Sequence, residues 1–457
     1  MTQVEQLAAF VARATYEDLS EAARRQLKIR VLDALGCALG ALDGPPIQRL
    51  RRQVALFGGA PLATLIGGGK TAPDRAAFLN AALVRYLDYN DSYLARGETC
   101  HPSDNLGGVL AASEYAGNTG KEFLTALAVA YQVQCTLSEV APVRTRGFDH
   151  TTQGAYAAAA GVAKALGLDQ QQIAHAVAIS GTAYNALRVT RTGRLSNWKG
   201  LAYPNTVLGA THAAFLAMQG ITGPLEVFEG NKGFIDAIAG PFTVDWQREG
   251  LERVTHTILK QYNAEIHSQS ALEGILTLAA SQQMRPEEIE RIEIAIFDVA
   301  YHIIGGGEEG DKQQVRTKEE ADHSLPYMVA AALLDGEVTP KQYTPERILR
   351  GDVQALLRRV IVRPDEALSR RFPQEMPCRI RVFLKDGQTP SIEQRDYEGF
   401  YTRPMSWEKA AMKFARLAAP FADERLQQSI VETVSHLETV PVGQLTTLLA
   451  KARNKHE

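Results

Sequence analysis

The chain has little sulfur to work with. Its four cysteines, Cys37, Cys100, Cys135 and Cys378, are scattered, and none forms a C-x-x-C pair. A zinc site or an iron–sulfur cluster therefore has no support in the sequence. Long apolar runs are missing too. No stretch reaches the roughly 18–20 residues of a membrane span. The first twenty residues, MTQVEQLAAFVARATYEDLS, are interrupted by Glu5 and Arg13 and lack a secretory leader's basic start and apolar run. The cytoplasm is the expected compartment. Charge of one sign is also absent. A formal net charge of −3 leaves no global cationic field, so neither nucleic acid nor a membrane is expected as a partner. A polyanionic small molecule would have to be met by locally placed cations.

What is present is a long, balanced, globular chain. At 457 residues it exceeds what one hydrophobic core usually organises, so two domains are expected. Up to about residue 265 the pattern is helical: 28–42, 73–88, 121–140, 154–167 and 170–181 are rich in Ala and Leu with three-to-four-residue apolar spacing. Thr119 with Glu122 and Asp169 with Gln172 have the spacing of capping boxes. The many small residues imply closely packed helices. Near residue 290 the period changes. RIEIAIFDVAYHII alternates as a strand does, and CRIRVFLKDGQTPSIEQRDYEG reads as strand, Asp-Gly turn and strand. Thr339-Pro340 and Thr344-Pro345 mark short helix starts between them. After Ser406 the helical pattern returns. The expected fold is mostly α: a discontinuous helical domain, 1–267 and 405–457, with an inserted α+β lid domain over 268–404.

One motif fails. IGGGKTAP ends like a phosphate-binding loop, but Thr64 stands where that loop needs its first glycine, so a flexible turn is expected. Five other segments concentrate chemistry. RYLDYNDSYLARGETCHPSDNLGG places Asp88, Asn90, Asp91, His101 and Asp104 between two helices, where acidic groups and an imidazole suit proton transfer. The plainer alternative is that Asp88 and Asp104 only cap helices. Cys100 beside His101 is not a nucleophile pair, since adjacent side chains rarely face each other. TRGFDHTTQGAY sets Arg146, His150 and Thr151 before a small-residue helix, whose N-terminus suits a carboxylate unless Asp149 or Thr151 is merely its cap. RTGRLSNWKGLAYPN carries Arg188, Arg191, Arg194 and Lys199 near Trp198 and Tyr203. It is either a solvated basic face or the seat of a partly buried Lys199 that binds a carboxylate. LKQYNAEIHSQSALEG supplies Lys260, Tyr262, His267, Ser268 and Gln269, and DHSLPY supplies Asp322, His323, Ser324 and Tyr327, with capping by Ser268 and Ser324 as the alternative. His175, His212, His256, His302, His436 and His456 have no such company and read as core or surface residues.

Taken in order, VLDALGCALGAL, LDYNDSYLARGETCHPSDNLGG, GITGPLEVFEGNKGF, KQYNAEIHSQSA and DHSLPYMVAAALLDGEV resemble the MmgE/PrpD family over nearly the whole chain. That resemblance implies a large helical domain, a smaller α+β lid, an active site between them, usually a homodimer, and no metal or organic cofactor. It implies action on small polycarboxylates: 2-methylcitrate or citrate dehydration, cis-aconitate decarboxylation or iminodisuccinate epimerisation. The family's active-site Asp corresponds to Asp91, its HP-motif histidine to His101 and its second histidine to His150. Its lysines correspond to Lys199 and Lys260, and its later His and Tyr to His267 and Tyr327. The lysine near Trp198 varies in position between branches. Asn90-Asp91 with HPSDN and DHSLPY looks like the dehydratase branch, so a hydro-lyase acting on 2-methylcitrate is expected. In that reading His101 moves the proton, with Asp91 orienting it or acting as its partner, and His150 or Tyr327 protonates the leaving hydroxyl. Lys199, Lys260 and His267 bind carboxylates. An epimerase, a decarboxylase and a catalytically silent polycarboxylate-binding paralogue are the alternatives.

Overall fold

In the computed structural model, residues 1–193 and 195–453 are described, and they fall into two compact units. Arg194 and His456 lie outside the described residues. The first unit comprises Met1–Thr190, Gly200–Thr257 and Ser406–Glu457. The second comprises Arg191–Lys199 and Ile258–Met405. Its long segment starts ten residues before the expected boundary at 268, because the chain from 258 to 265 is irregular and is held by bonds to 397–399. Leu259 N–H donates to Gly399 O at 2.9 Å, and Tyr397 Oη donates to Leu259 O at 2.8 Å. Pairing of that kind leaves no period in the sequence.

The first unit is an α-helical body. Its centre is built from Gly120–Val140, Thr151–Ala165 and Gln170–Ala183, flanked by Pro73–Tyr86, Leu106–Ala116 and Glu21–Gly40. Both expected capping boxes form, with Glu122 N on Thr119 Oγ1 at 3.4 Å and Gln172 N on Asp169 Oδ1 at 2.8 Å. Each such cap stabilises a helix by about 1 kcal/mol. Small residues set the packing distance. A Cβ at Gly107 would sit 2.3 Å from the Ala81 nitrogen, so Leu106–Ala116 approaches Pro73–Tyr86 only because that position is glycine. The failed phosphate loop is a turn between the short strands Ala63–Thr64 and Lys70–Thr71. Gly67, Gly68 and Gly69 all have positive φ, and Arg51 donates to the carbonyls of Ile66 and Gly68.

The second unit is α+β. A four-stranded sheet runs Val360–Pro364, Ile289–Ile296, Cys378–Leu384, Ser391–Gln394, with the first pair parallel and the others antiparallel. Ile289, Ile292, Ile294 and Ile296 are buried along one strand, and Cys378, Ile380 and Val382 along its neighbour. Helices Gln269–Gln282 and Leu325–Asp335 pack on each other and on this sheet. The strand expected over RIEIAIFDVAYHII is shorter than the apolar pattern. It stops at Ile296, and Asp298 starts a helical turn by accepting from Val299 N at 2.8 Å while its own N–H meets Ser369 Oγ. The Asp-Gly hairpin and the two Thr-Pro helix starts form where expected. No helix among the described residues is long and apolar enough to cross a membrane.

Candidate active-site residues

In the first unit the chemistry gathers where Pro73–Tyr86 ends. Asp88 takes the left-handed conformation, φ 53°, and accepts from Arg85 Nη1 at 2.6 Å. Arg85 Nε also lies 3.5 Å from Asp104 Oδ2. Asn90 Nδ2 donates to Ser103 Oγ and Asp104 Oδ1, each at 2.8 Å. Asp88 and Asp104 therefore bind side chains and cap no helix, which corrects the plainer reading of both. The short hairpin Tyr93–Leu94 with Thr99–Cys100 folds the chain back, so that His101 meets Asp91 and Ser92. Asp91 is fully buried. Its Oδ1 accepts from Ser103 N at 3.0 Å and Ser103 Oγ at 2.7 Å, and its Oδ2 accepts from Tyr131 Oη at 2.7 Å. Burial pushes the Asp91 carboxyl above its ordinary value, and the donors from Ser103 and Tyr131 pull it only partly back.

His101 does not touch that carboxylate. Its Nδ1 lies 2.8 Å from the main-chain oxygen of Asp91 and 3.0 Å from Ser92 Oγ. A carbonyl oxygen can only accept, so in the neutral ring Nδ1 carries the proton and Nε2 is the basic atom. The ring meets His150 edge-on at 5.4 Å, and His150 stacks on Tyr203 at 5.8 Å. His150 Nδ1 is 3.1 Å from Asp149 Oδ1, the same oxygen that accepts from Thr151 N, and His150 itself stands at the N-cap position of Thr151–Ala165. Cys100 sits with Tyr93, Ala95 and Cys135 and has no part in a His101 pair. Burial first, and then the neighbouring Cys100 thiol, push the Cys135 thiol well up.

A second group forms in the α+β unit. Lys199 Nζ lies 2.9 Å from Asp322 Oδ1 and 2.9 Å from His323 Nδ1, and Lys318 Nζ donates to Asp322 Oδ2 at 2.7 Å. Burial alone would raise Asp322, but Lys199, Lys318 and His323 hold its carboxyl far below the usual range. His267 Nδ1 is 2.7 Å from Glu265 Oε1. Burial raises Glu265 as well, and the charges of His267, His323 and Lys260 outweigh it and hold it down to about 2. Burial lowers Lys312, with Lys199 adding to the push. Four lysines, 199, 260, 312 and 318, thus share a buried or half-buried neighbourhood with three carboxylates, Glu265, Glu309 and Asp322. Lysine in excess over resident carboxylate is the arrangement that receives a further anion.

Tyr327 is buried but is not brought to this group. Its hydroxyl donates to the Gln342 carbonyl and its ring faces Tyr343, while burial pushes its hydroxyl well up. Ser324 is the cap of Leu325–Asp335, as the plainer reading had it. Gln269 is structural: it bonds the main chain of Gln261, Tyr262 and Ala264. Ser268 donates to Glu265 O instead of capping. Arg188 lies 3.7 Å from Asp149, and Arg191 is buried, so neither is part of a solvated basic face. His175 is a core residue that accepts from Gly223 N, and His212, His256, His302 and His436 are exposed. Tyr131, Glu265, Lys312 and Lys318 were not legible in the sequence, nor was Lys413, which donates to Tyr89 O at 2.7 Å and pairs with Asp33.

The chain matches the MmgE/PrpD N-terminal domain over residues 5–247 and the MmgE/PrpD C-terminal domain over 262–439. It is 30% identical to the 2-methylcitrate dehydratase of Salmonella typhi over 376 residues, 78% of this chain and 76% of that protein. It is 28% identical to the 2-methylcitrate dehydratase of Cupriavidus necator over 453 residues, covering 92% and 91%. An alkylcitrate dehydratase, phiI, from a fungal species is 27% identical over 86% of this chain and 83% of its own. The protein is an enzyme of the hydro-lyase class. It belongs to the MmgE/PrpD family.

Proposed function

We propose that the enzyme dehydrates 2-methylcitrate to a methylaconitate, and citrate to aconitate as a second reaction, by side-chain acid–base chemistry with no metal. The names of the relatives support the substrate. The observation that carries the mechanism is the placement of His101 Nδ1 2.8 Å from the Asp91 carbonyl, an acceptor that leaves Nε2 as the basic atom of the neutral ring. His101 Nε2 removes the proton beside a carboxylate. Asp91 holds the loop that aims it, through Ser103 and Tyr131. The electron pair left behind is stabilised by cations on the substrate carboxylates, for which Lys199, Lys260 and His267 are the candidates. The C–O bond then breaks, and the departing hydroxyl takes a proton to leave as water. Of His150 and Tyr327, the geometry favours His150 as that donor: its ring meets His101, whereas the Tyr327 hydroxyl is spent on Gln342.

We further propose that the enzyme works in the cytoplasm as a homodimer, with the α+β unit as the lid of the helical one. The test is a small panel of tricarboxylates followed by ultraviolet absorbance and mass spectrometry. The expected result is an unsaturated product one water lighter from 2-methylcitrate. Epimerised substrate, carbon dioxide release, or binding without turnover would each replace this reading with one of its alternatives.

A further inference from the structure

His267 has a companion that its proposed role as a carboxylate binder does not explain. Both Glu265 oxygens are committed to it. Oε1 meets the ring Nδ1 at 2.7 Å, and Oε2 accepts the His267 main-chain N–H at 2.8 Å. Glu265 is itself fixed at both ends of its peptide unit: its N–H donates to Asp322 O at 3.0 Å, and its carbonyl accepts from Ser268 Oγ at 2.6 Å. The ring therefore has one orientation. Phe297 and Phe372, stacked on each other 4.5 Å apart, flank it at 5.7 and 5.8 Å. The other ring nitrogen, Nε2, is buried and meets no hydrogen-bond partner among the described residues. A buried polar atom left so in a well-ordered site needs an explanation, and a ligand atom is one.

The charged groups around the ring differ from those around His101. His101 leans on a neutral carbonyl, whereas His267 leans on a carboxylate that Lys260 and His323 also face and that stays ionised. Asp322 reaches this point through its main-chain oxygen, its carboxylate being held by Lys199, Lys318 and His323. A carboxylate on Nδ1 fixes the tautomer and the ring orientation, as in catalytic carboxylate–histidine pairs. Environments that separate two histidines in this way separate their roles.

We infer that Glu265 is the positioning residue for His267: it holds the ring with Nδ1–H toward itself, so that Nε2 meets the substrate carboxylate next to the carbon that loses its proton. This rests on the reading of the protein as a polycarboxylate dehydratase. When His101 takes that proton, the electron pair moves onto the adjacent carboxylate, where His267 faces the added charge. It then returns to form the double bond as hydroxide leaves and is protonated. His267 keeps its own proton throughout.

Two measurements test this on the full-length protein. With its ten histidines ¹⁵N-labelled and H267Q used for assignment, long-range ¹H–¹⁵N correlation should show His267 protonated at Nδ1, and added citrate should move its Nε2 signal. A neutral ring with a bare Nδ1 would overturn the inference, even if the wild type forms no unsaturated product. That second outcome would sink the dehydratase reading instead. In kinetics, Glu265→Gln should lower kcat/KM by about 10²-fold, and the alkaline limb of its pH profile should move to lower pH; Glu265→Asp should recover most of the loss. A Gln variant with a lower melting temperature but an unmoved pH profile would make Glu265 merely structural. Should that variant not fold, the wild-type tautomer and the Asp variant decide.

Discussion

His101 turns Nδ1 to the main-chain oxygen of Asp91, 2.8 Å away, while the Asp91 carboxylate faces Ser103 and Tyr131 instead. In the proposed mechanism Asp91 therefore acts through the loop it shapes, orienting His101. Tyr131→Phe, which removes one donor to Asp91 and leaves the ring packing, should cost about 1.5–3 kcal/mol, the range for a hydrogen bond to a charged group. Its kcat should fall while KM stays within a few-fold. Urea unfolding with steady-state kinetics checks both, and an unchanged kcat would mean that the Asp91 loop does not need this anchor.

Lys260→Ala should have the opposite emphasis. The side chain is fully buried and its charge is felt at Glu265. Its loss should raise KM strongly, by about tenfold or more, because a substrate carboxylate is left without its cation. The fall in kcat should be smaller. A variant with normal KM would remove Lys260 from substrate binding.

His150 and Tyr327 are separated by one comparison. Tyr327→Phe loses a hydroxyl bonded to the Gln342 carbonyl and should cost about 1 kcal/mol of stability, with kcat within a few-fold of wild type. His150→Gln should lower kcat by on the order of 10²-fold or more. The reverse result, read from initial rates at saturating substrate, would give the leaving-group proton to Tyr327.

Acid should reach the α+β unit through Glu265. Its carboxyl is held at about 2 in the native state against an ordinary 4.5. A depressed native value adds stability that is complete above the ordinary value and is lost as pH falls from there toward 2. The contribution is on the order of 3 kcal/mol. Glu265→Gln should therefore be less stable near neutrality, and its stability should vary less between pH 5 and pH 3. Equal slopes in the two proteins would contradict the ion pair with His267.

What could be read from the sequence was local. Thr119 with Glu122, Asp169 with Gln172, the Asp-Gly hairpin and the Thr-Pro starts each depend on a few consecutive residues, and each is found. The strand at 289–296 was legible in its alternation but not in its end, because Asp298 interrupts pairing while the apolar pattern runs on. The site residues could be gathered by type, and the family resemblance picked out Asp91, His101, His150, Lys199, Lys260, His267 and Tyr327. Their partners could not be read. Tyr131 is 40 positions from Asp91, and Lys413 is 324 from Tyr89, on helices whose own patterns say only that they are packed. Tyr327 has the composition of a catalytic residue and the surroundings of a structural one, a difference that rests on the Pro340–Tyr343 turn.

His101 is proposed as the base of a dehydration that needs no metal. The most direct measurement is kcat and KM for 2-methylcitrate, by formation of the unsaturated product, in wild type and His101→Ala, both dialysed against a strong chelator. The expected result is full activity in the dialysed wild type and a kcat lower by on the order of 10²–10⁴ in the variant, with KM changed only a few-fold and both proteins folded by circular dichroism. Near-normal kcat in His101→Ala, or wild-type activity that returns only when iron and sulfide are supplied, would contradict it.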